Sequence, residues 1–192
     1  MSSKKRYPAR TPRAAFGIRI QELRAAGCWW AKRWQGVIEK VAFGARLGKG
    51  RNYAVSGQVL EMSPPSPHVV AKVLGAREEP YEVTLDFRTP PPEARARIVD
   101  AIVSEPIVVA RLLAGDLPME VEAAFRAVGL DLFPGAKLAP GKYDMTTKCS
   151  CPDYANPCKH CTAVLFVLGE EVARRPASLL ELRGISMEEL VR

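Results

Sequence analysis

The run Lys148-Cys-Ser-Cys-Pro-Asp-Tyr-Ala-Asn-Pro-Cys-Lys-His-Cys161 decides how this chain is read, because it holds four of the five cysteines and one of the two histidines. Cys149, Cys151, Cys158 and His160 follow the order Cys-x-Cys-x6-Cys-x-His. Three thiolates and an imidazole form a standard tetrahedral set for Zn2+, and with every position filled by protein the metal holds structure instead of activating water. The first pair is tighter than the usual ligand spacing. Pro152 after it, and Asn156-Pro157 before the second pair, supply the turns that bring the pairs together. The apolar run at residues 163–168 predicts a buried helix with Cys158 and His160 at its start.

This pattern resembles the SWIM zinc finger, found in bacterial partners of Swi/Snf-type helicases, in Mutator-type transposases and in some kinases. The resemblance implies a first cysteine pair on a hairpin, a Cys-x-His pair ahead of a helix, a structural zinc and a role in binding DNA or proteins. Trp29-Trp-Ala-Lys-Arg-Trp34, Gly50-Arg-Asn-Tyr-Ala54, Gly75 with Pro80-Tyr81, and Leu132-Phe-Pro134 look like landmarks of small bacterial SWIM proteins associated with helicases. At Cys161 the chain departs from that pattern, where an aliphatic residue is more usual.

Cys161 is therefore a rival to His160 as fourth ligand. A helix already begun at Cys158 would put residues three apart on one face and favour Cys161. A helix begun after Cys158 makes Cys161 the head of a core stripe with Val164, Leu165 and Leu168, as a small buried thiol. The resemblance and this second geometry together favour His160. An odd cysteine count and the lack of an apolar segment after the basic start argue against disulfides. A redox reading of Cys158 to Cys161 lacks the strand-then-helix setting. Cys28, beside Trp29, reads as a buried filler.

Charge is segregated along the chain. Residues 1–53 carry thirteen Lys or Arg against Glu22 and Glu39, a net +11, while the remainder nets −4. The arm bearing Lys4, Lys5, Arg6, Arg10 and Arg13 is expected to seek phosphates, each contact releasing counterions. Lys32, Arg33 and Lys40 lie off the apolar stripe of the next helix and extend this surface toward Lys49-Gly50-Arg51. Gly48 and Gly50 do not make a phosphate loop, having no following Lys-Ser or Lys-Thr, so nucleotide hydrolysis is not expected. A hydrophobic fraction of 47% supports a real core, and no apolar run is long enough for a membrane span, so a soluble, cytoplasmic protein, open to nucleoid association through its charge, is expected.

The fold class expected is α+β. Residues 1–25 form a basic arm. Residues 26–90 hold a helix over 29–43, with Trp30, Trp34, Val37, Ile38 and Val41 as its core face, and a small antiparallel three-stranded sheet. Its strands are read from the alternations Tyr53-Val55-Gly57-Val59, Val69-Ala71-Val73 and Tyr81-Val83-Leu85-Phe87. Residues 91–136 are a helical scaffold, with helices over 93–103, after Ser104 with Pro106 in the first turn, and from Asp116 or Leu117 to Gly129. Residues 137–175 are the zinc finger, ββα-like by resemblance, and 176–192 a helical tail.

His68, at the Ser63-Pro-Pro-Ser-Pro67 turn, is expected to be solvated, and Asp153 to serve a turn hydrogen bond. Asp86, Asp131 and Asp153 are scattered, and no paired carboxylates or Ser/His/Asp set suggest catalysis. The function expected is that of a non-enzymatic, zinc-binding accessory protein that contacts nucleic acid, DNA in preference to RNA, beside a Swi/Snf-type helicase or other motor. The alternative is an adaptor that recruits the helicase without touching nucleic acid. No membrane and no small-molecule substrate is expected.

Overall fold

In the computed structural model the described residues are 17–21, 27–42, 44–135, 137–139 and 142–192. Their order is α1 (Trp29–Val41), α2 (Ala45–Val55), β1 (Val59–Met62), β2 (His68–Val73), β3 (Tyr81–Phe87), α3 (Pro92–Val103), α4 (Pro106–Leu113), α5 (Met119–Arg126), β4 (Lys137–Ala139), β5 (Lys142–Tyr143), β6 (Met145–Cys149), α6 (Lys159–Arg174), α7 (Ser178–Leu182) and α8 (Met187–Leu190). Eleven of the sixteen residues of α6 are buried, including the whole run from His160 to Gly169. A helix enclosed on all faces organises what surrounds it. Helices α1 and α2 and the strands of the main sheet all pack on α6.

The tryptophan motif serves that packing. Trp34 is fully buried and donates its indole N–H to Leu165 O at 3.0 Å, while Trp30 reaches Ala173 O at 3.4 Å. Trp29 turns the other way, to Leu117 O at 3.1 Å ahead of α5. Gly50 lets α2 cross α6 closely: a Cβ there would lie 2.5 Å from Thr162 Cβ.

The main sheet is antiparallel throughout, in the order β1-β2-β3-β6. It has four strands where sequence suggested three, the fourth coming from the finger segment, with Val83 opposite Cys149 and Phe87 opposite Met145. Val69, Ala71, Val73, Val83, Leu85, Phe87 and Met145 are buried, and Val70, Lys72 and Lys148 face out. Strands β4 and β5 pair separately. The strand expected over Tyr53–Val59 is corrected: Tyr53 and Val55 belong to α2, and only Val59 is strand. The helix persists because Gly50 and Ala54 are buried against α6, and Gly57, at φ +70°, then turns the chain into β1. Alternation across 53–59 joins the end of one element to the start of another.

The middle helices follow the sequence reading with one trim. Pro118 stands at the N-cap of α5, which starts at Met119, and Gly115 and Gly129 take positive φ after α4 and α5. The tail is two short helices, broken at Gly184 (φ +76°), with a Ser186/Glu189 capping box starting α8. Arg183, 3% exposed, ties this tail to the rest: it donates to Arg88 O (2.9 Å), Asp131 O (2.8 Å), Leu132 O (3.0 Å) and Asp144 Oδ2 (2.7 Å). Asp144 also accepts from Gly135 N at 2.7 Å, which fixes the chain just ahead of β6.

His68 is not an isolated turn residue. It opens β2, pairs in register with Asp86, and its Nδ1 lies 2.6 Å from Asp86 Oδ1. Ser66 Oγ donates to the His68 carbonyl, not to the ring, so the three do not form a relay. Among the described residues no helix is long and apolar enough to cross a membrane.

Candidate metal centre

Four elements meet at the cysteine cluster. Cys149 ends β6, and Ser150 is held to β3 by two hydrogen bonds with Glu82, N–H to O and N–H to Oγ, each 3.0 Å. The chain then turns through Cys151 and Pro152. Asp153 Oδ1 accepts from Ala155 N at 3.2 Å, the turn bond read from sequence. Asn156 Nδ2 donates to Thr147 O at 2.7 Å, and the Thr147 hydroxyl donates back to Asn156 Oδ1. A cis Asn156-Pro157 peptide leads to Cys158, the extended N-cap of α6, whose carbonyl accepts from both Thr162 N and Thr162 Oγ1 at 2.9 Å. His160 is the second residue of the helix.

Cys149, Cys151, Cys158 and His160 present ligand atoms that all lie within 4.8 Å of one another. His160 Nδ1 is 3.7 Å from Cys149 Sγ and 3.8 Å from Cys158 Sγ. The edge of a tetrahedron with ordinary Zn–S and Zn–N bonds is about 3.6 Å, so these residues fit a zinc ion. When bound, zinc would join the end of β6 to the start of α6 through three sulfurs and one nitrogen.

The histidine is oriented by rings. Tyr81 lies against it at 4.7 Å between centroids, tilted by 33°, and Tyr53 meets it edge-on at 5.4 Å. Its Nε2 is buried and, among the described residues, has no hydrogen-bond partner, so the ligand face is Nδ1. Metal-bound histidines usually fix their second nitrogen with a carboxylate or carbonyl. Here aromatic packing takes that place. Gly75 completes the seat, since a Cβ there would lie 1.9 Å from Tyr81 Cε2 and 3.1 Å from His160 Nε2.

Cys161 stands outside the four-residue set. Fully buried, it lies 3.7 Å from Cys158 Sγ and donates to Lys148 O at 3.6 Å. Cys149 pulls its thiol down, but the hydrogen bond with Cys158, burial and the Cys158 charge outweigh that and push it up to about 12. The Cys158 thiol is held low by its hydrogen bonds with Cys149, then Cys161, and less by His160. Cys149 is pushed up by its hydrogen bonds with Cys158 and then Cys161, and Cys151 chiefly by burial. Cys28, half-buried at the N-cap of α1, is remote from these in sequence and takes no part in the cluster.

The basic residues named from sequence are spread over several elements. Lys4, Lys5, Arg6, Arg10 and Arg13 lie outside the described residues. Lys32 and Arg33 are on α1, and Lys49 and Arg51 are exposed on α2. Arg33 is engaged, pairing with buried Glu122 and lying over the Phe133 ring at 5.5 Å, while Arg126 takes the other Glu122 oxygen at 3.0 Å. Sequence reasoning passed over Arg46, whose guanidinium lies 5.9 Å from the Tyr154 ring centroid, and Lys159, 5.1 Å from that of Tyr53. The signal available for Lys148 and Lys159 was their position beside Cys149 and Cys158.

Comparison with known proteins bears on this site directly. Residues 141–169 match the family model of the SWIM zinc finger. The chain is 34% identical over 186 residues to the uncharacterized protein Rv2102 of Mycobacterium tuberculosis, a match covering 96% of this chain and 65% of that protein. This chain thus spans less than two thirds of that relative's length. No solved structure matches. Residues 141–169 thus match the SWIM zinc finger, and Cys149, Cys151, Cys158 and His160, gathered inside that segment, are a ligand set suited to a metal, zinc by its chemistry.

Proposed function

We propose that the chain is a non-enzymatic, zinc-stabilised accessory protein of the cytoplasm that binds nucleic acid, DNA in preference to RNA, and works beside a Swi/Snf-type helicase or other DNA motor. The observation that carries this reading is the segregation of charge, +11 over residues 1–53 against −4 for the rest. Helix α2, the last element of that basic quarter, carries exposed Lys49 and Arg51 and packs on the finger helix α6. Phosphate contacts supply sequence-independent affinity with a steep salt dependence.

The test is fluorescence anisotropy of the full, zinc-loaded chain with duplex and single-stranded DNA over a salt series. Removing residues 1–13 deletes five bases and should flatten the slope of log affinity against log salt by up to about 0.9 per lost phosphate contact on duplex. No binding even at low salt would overturn the reading. A second reading, a protein adaptor, draws support from α4 and its surroundings, where Ile107 and Leu113 are 67% and 63% exposed and Met119 is 52% exposed. Apolar side chains of this size standing in water are a feature of docking surfaces. Ile107→Asp would weaken capture of a helicase partner and leave nucleic-acid affinity unchanged.

A further inference from the structure

Tyr154 is 95% exposed, on the loop between the two ligand pairs. The loop that carries it is clamped. Cys151 and Cys158 bracket it as ligands, Asp153 Oδ1 accepts from Ala155 N across it, and Asn156 is tied to Thr147 of β6. A large ring held out on a braced loop gains nothing for the fold from its position and loses little freedom when something packs on it.

Its surroundings are cationic. The Arg46 guanidinium lies 5.9 Å from the ring centroid. Exposed Lys148 shares a shallow groove of 230 Å3 with Asp153, Ala155 and Asn156 at the base of the loop. Asp153 approaches Arg46 at 3.5 Å, an ion pair with both side chains about a third exposed, and a phosphate would compete with that weak contact. Exposed aromatic rings beside Arg and Lys are the common means of holding single-stranded nucleic acid, because every base has a face to stack and every linkage a phosphate to neutralise. In a duplex the faces of the bases are already taken up by stacking, and a single ring on a protruding loop has only unstacked bases to meet.

We propose that Tyr154 is a stacking platform for one base of single-stranded nucleic acid, with Arg46 and Lys148 contacting adjacent phosphates. This deepens the nucleic-acid reading above and rests on it. The full, zinc-loaded chain is titrated with fluorescein-labelled oligothymidine and with a duplex of equal length, comparing Tyr154→Ala, Tyr154→Trp and Arg46→Gln. Tyr154→Ala should weaken single-strand binding by about 5- to 150-fold, the range for one base–aromatic stack, with an unchanged salt slope. Tyr154→Trp should retain affinity, and Arg46→Gln should lower the single-strand salt slope by about 0.7. Photocrosslinking with 5-iodouridine in the oligonucleotide should label Tyr154. Because Tyr154 is solvent-exposed, the fold and zinc content of its variants should match the parent.

If the parent binds oligothymidine and Tyr154→Ala binds it equally well, the platform is refuted while the nucleic-acid reading stands. Equal losses on duplex and single strand would refute the single-strand assignment. A parent that binds neither form at low salt would remove both readings together.

Discussion

Gly75→Ala is a sharp test of how the metal site is built, because nothing at that position touches the metal. Gly75 lacks the positive φ that would make alanine intrinsically strained, so the effect is one of space alone. The added Cβ would sit 1.9 Å from Tyr81 Cε2 and 2.3 Å from Cδ2. About 1.5 Å must open to reach ordinary contact. Tyr81 is 5% exposed and lies against His160, so its ring has no free direction away from the new methyl. Overpacking of this kind costs about 1–3 kcal/mol. The Tyr81 ring lies against His160, so relief of the clash pushes on the ligand, and that part of the strain is read as lost metal affinity. Zinc affinity, measured by competition with a chromophoric chelator, should fall by about 5- to 150-fold. Combining Gly75→Ala with Tyr81→Val should recover part of the loss in a double-mutant cycle. An unchanged affinity in Gly75→Ala, or strictly additive losses in the pair, would refute the idea that aromatic packing seats the ligand.

Other consequences are open to direct measurement. His160→Ala should lower zinc affinity far more than Cys161→Ala, which trims a core thiol at a cost of about 1 kcal/mol; the reverse ranking would assign the site to four cysteines. Because zinc binds thiolates, it must displace the protons that Cys149 and Cys151 hold above the ordinary thiol range, and affinity should rise with pH and fall on acidification; dye-monitored proton release on zinc addition checks this. Arg183→Met strands the buried Asp144 carboxylate and should cost about 3–5 kcal/mol in denaturant unfolding, where a loss under 1 kcal/mol would show that the pair is not holding the tail.

Local signals in the sequence were legible where the physics is local. The stripe of α1, Pro106 in the first turn of α4 and the glycine that follows α5 each act within a few residues, and the structure has those elements where the sequence puts them; the ligand spacing is local too, and its four residues lie within 4.8 Å of one another. Tyr53–Val59 misled because a four-residue alternation cannot tell a strand from the join between a helix and a strand. The fourth strand was hidden for a different reason: β6 pairs with β3 across some sixty residues of intervening chain, and no local pattern records a partner. The buried Arg183 was likewise invisible, since its acceptors come from residues 88, 131, 132 and 144. The landmarks at Gly50, Tyr53, Gly75 and Tyr81 were marked by resemblance alone, and the structure supplies their reason. Gly50 brings α2 onto α6, and the other three residues enclose His160.

That arrangement changes what metal removal should do. If the zinc alone held the finger, its removal would unfold the whole region from Cys149 to Leu168. Yet Val164, Leu165, Phe166, Val167, Leu168 and Val172 are buried against the tryptophan helix, α2 and the sheet. Their burial contributes on the order of 10 kcal/mol before chain entropy is subtracted, none of which depends on metal. The loop between Cys149 and Cys158 has no such support, with Ser150, Pro152, Asp153 and Tyr154 exposed. Chelation should therefore release the loop and the first turn of α6 and leave the rest of the helix docked. Hydrogen exchange with and without a strong chelator separates the two cases: amides at residues 149–162 should lose protection while those at 165–172 keep it. Loss of protection at 165–172 together with the loop would mean that zinc, and not the apolar contacts of α6, holds the centre of the molecule.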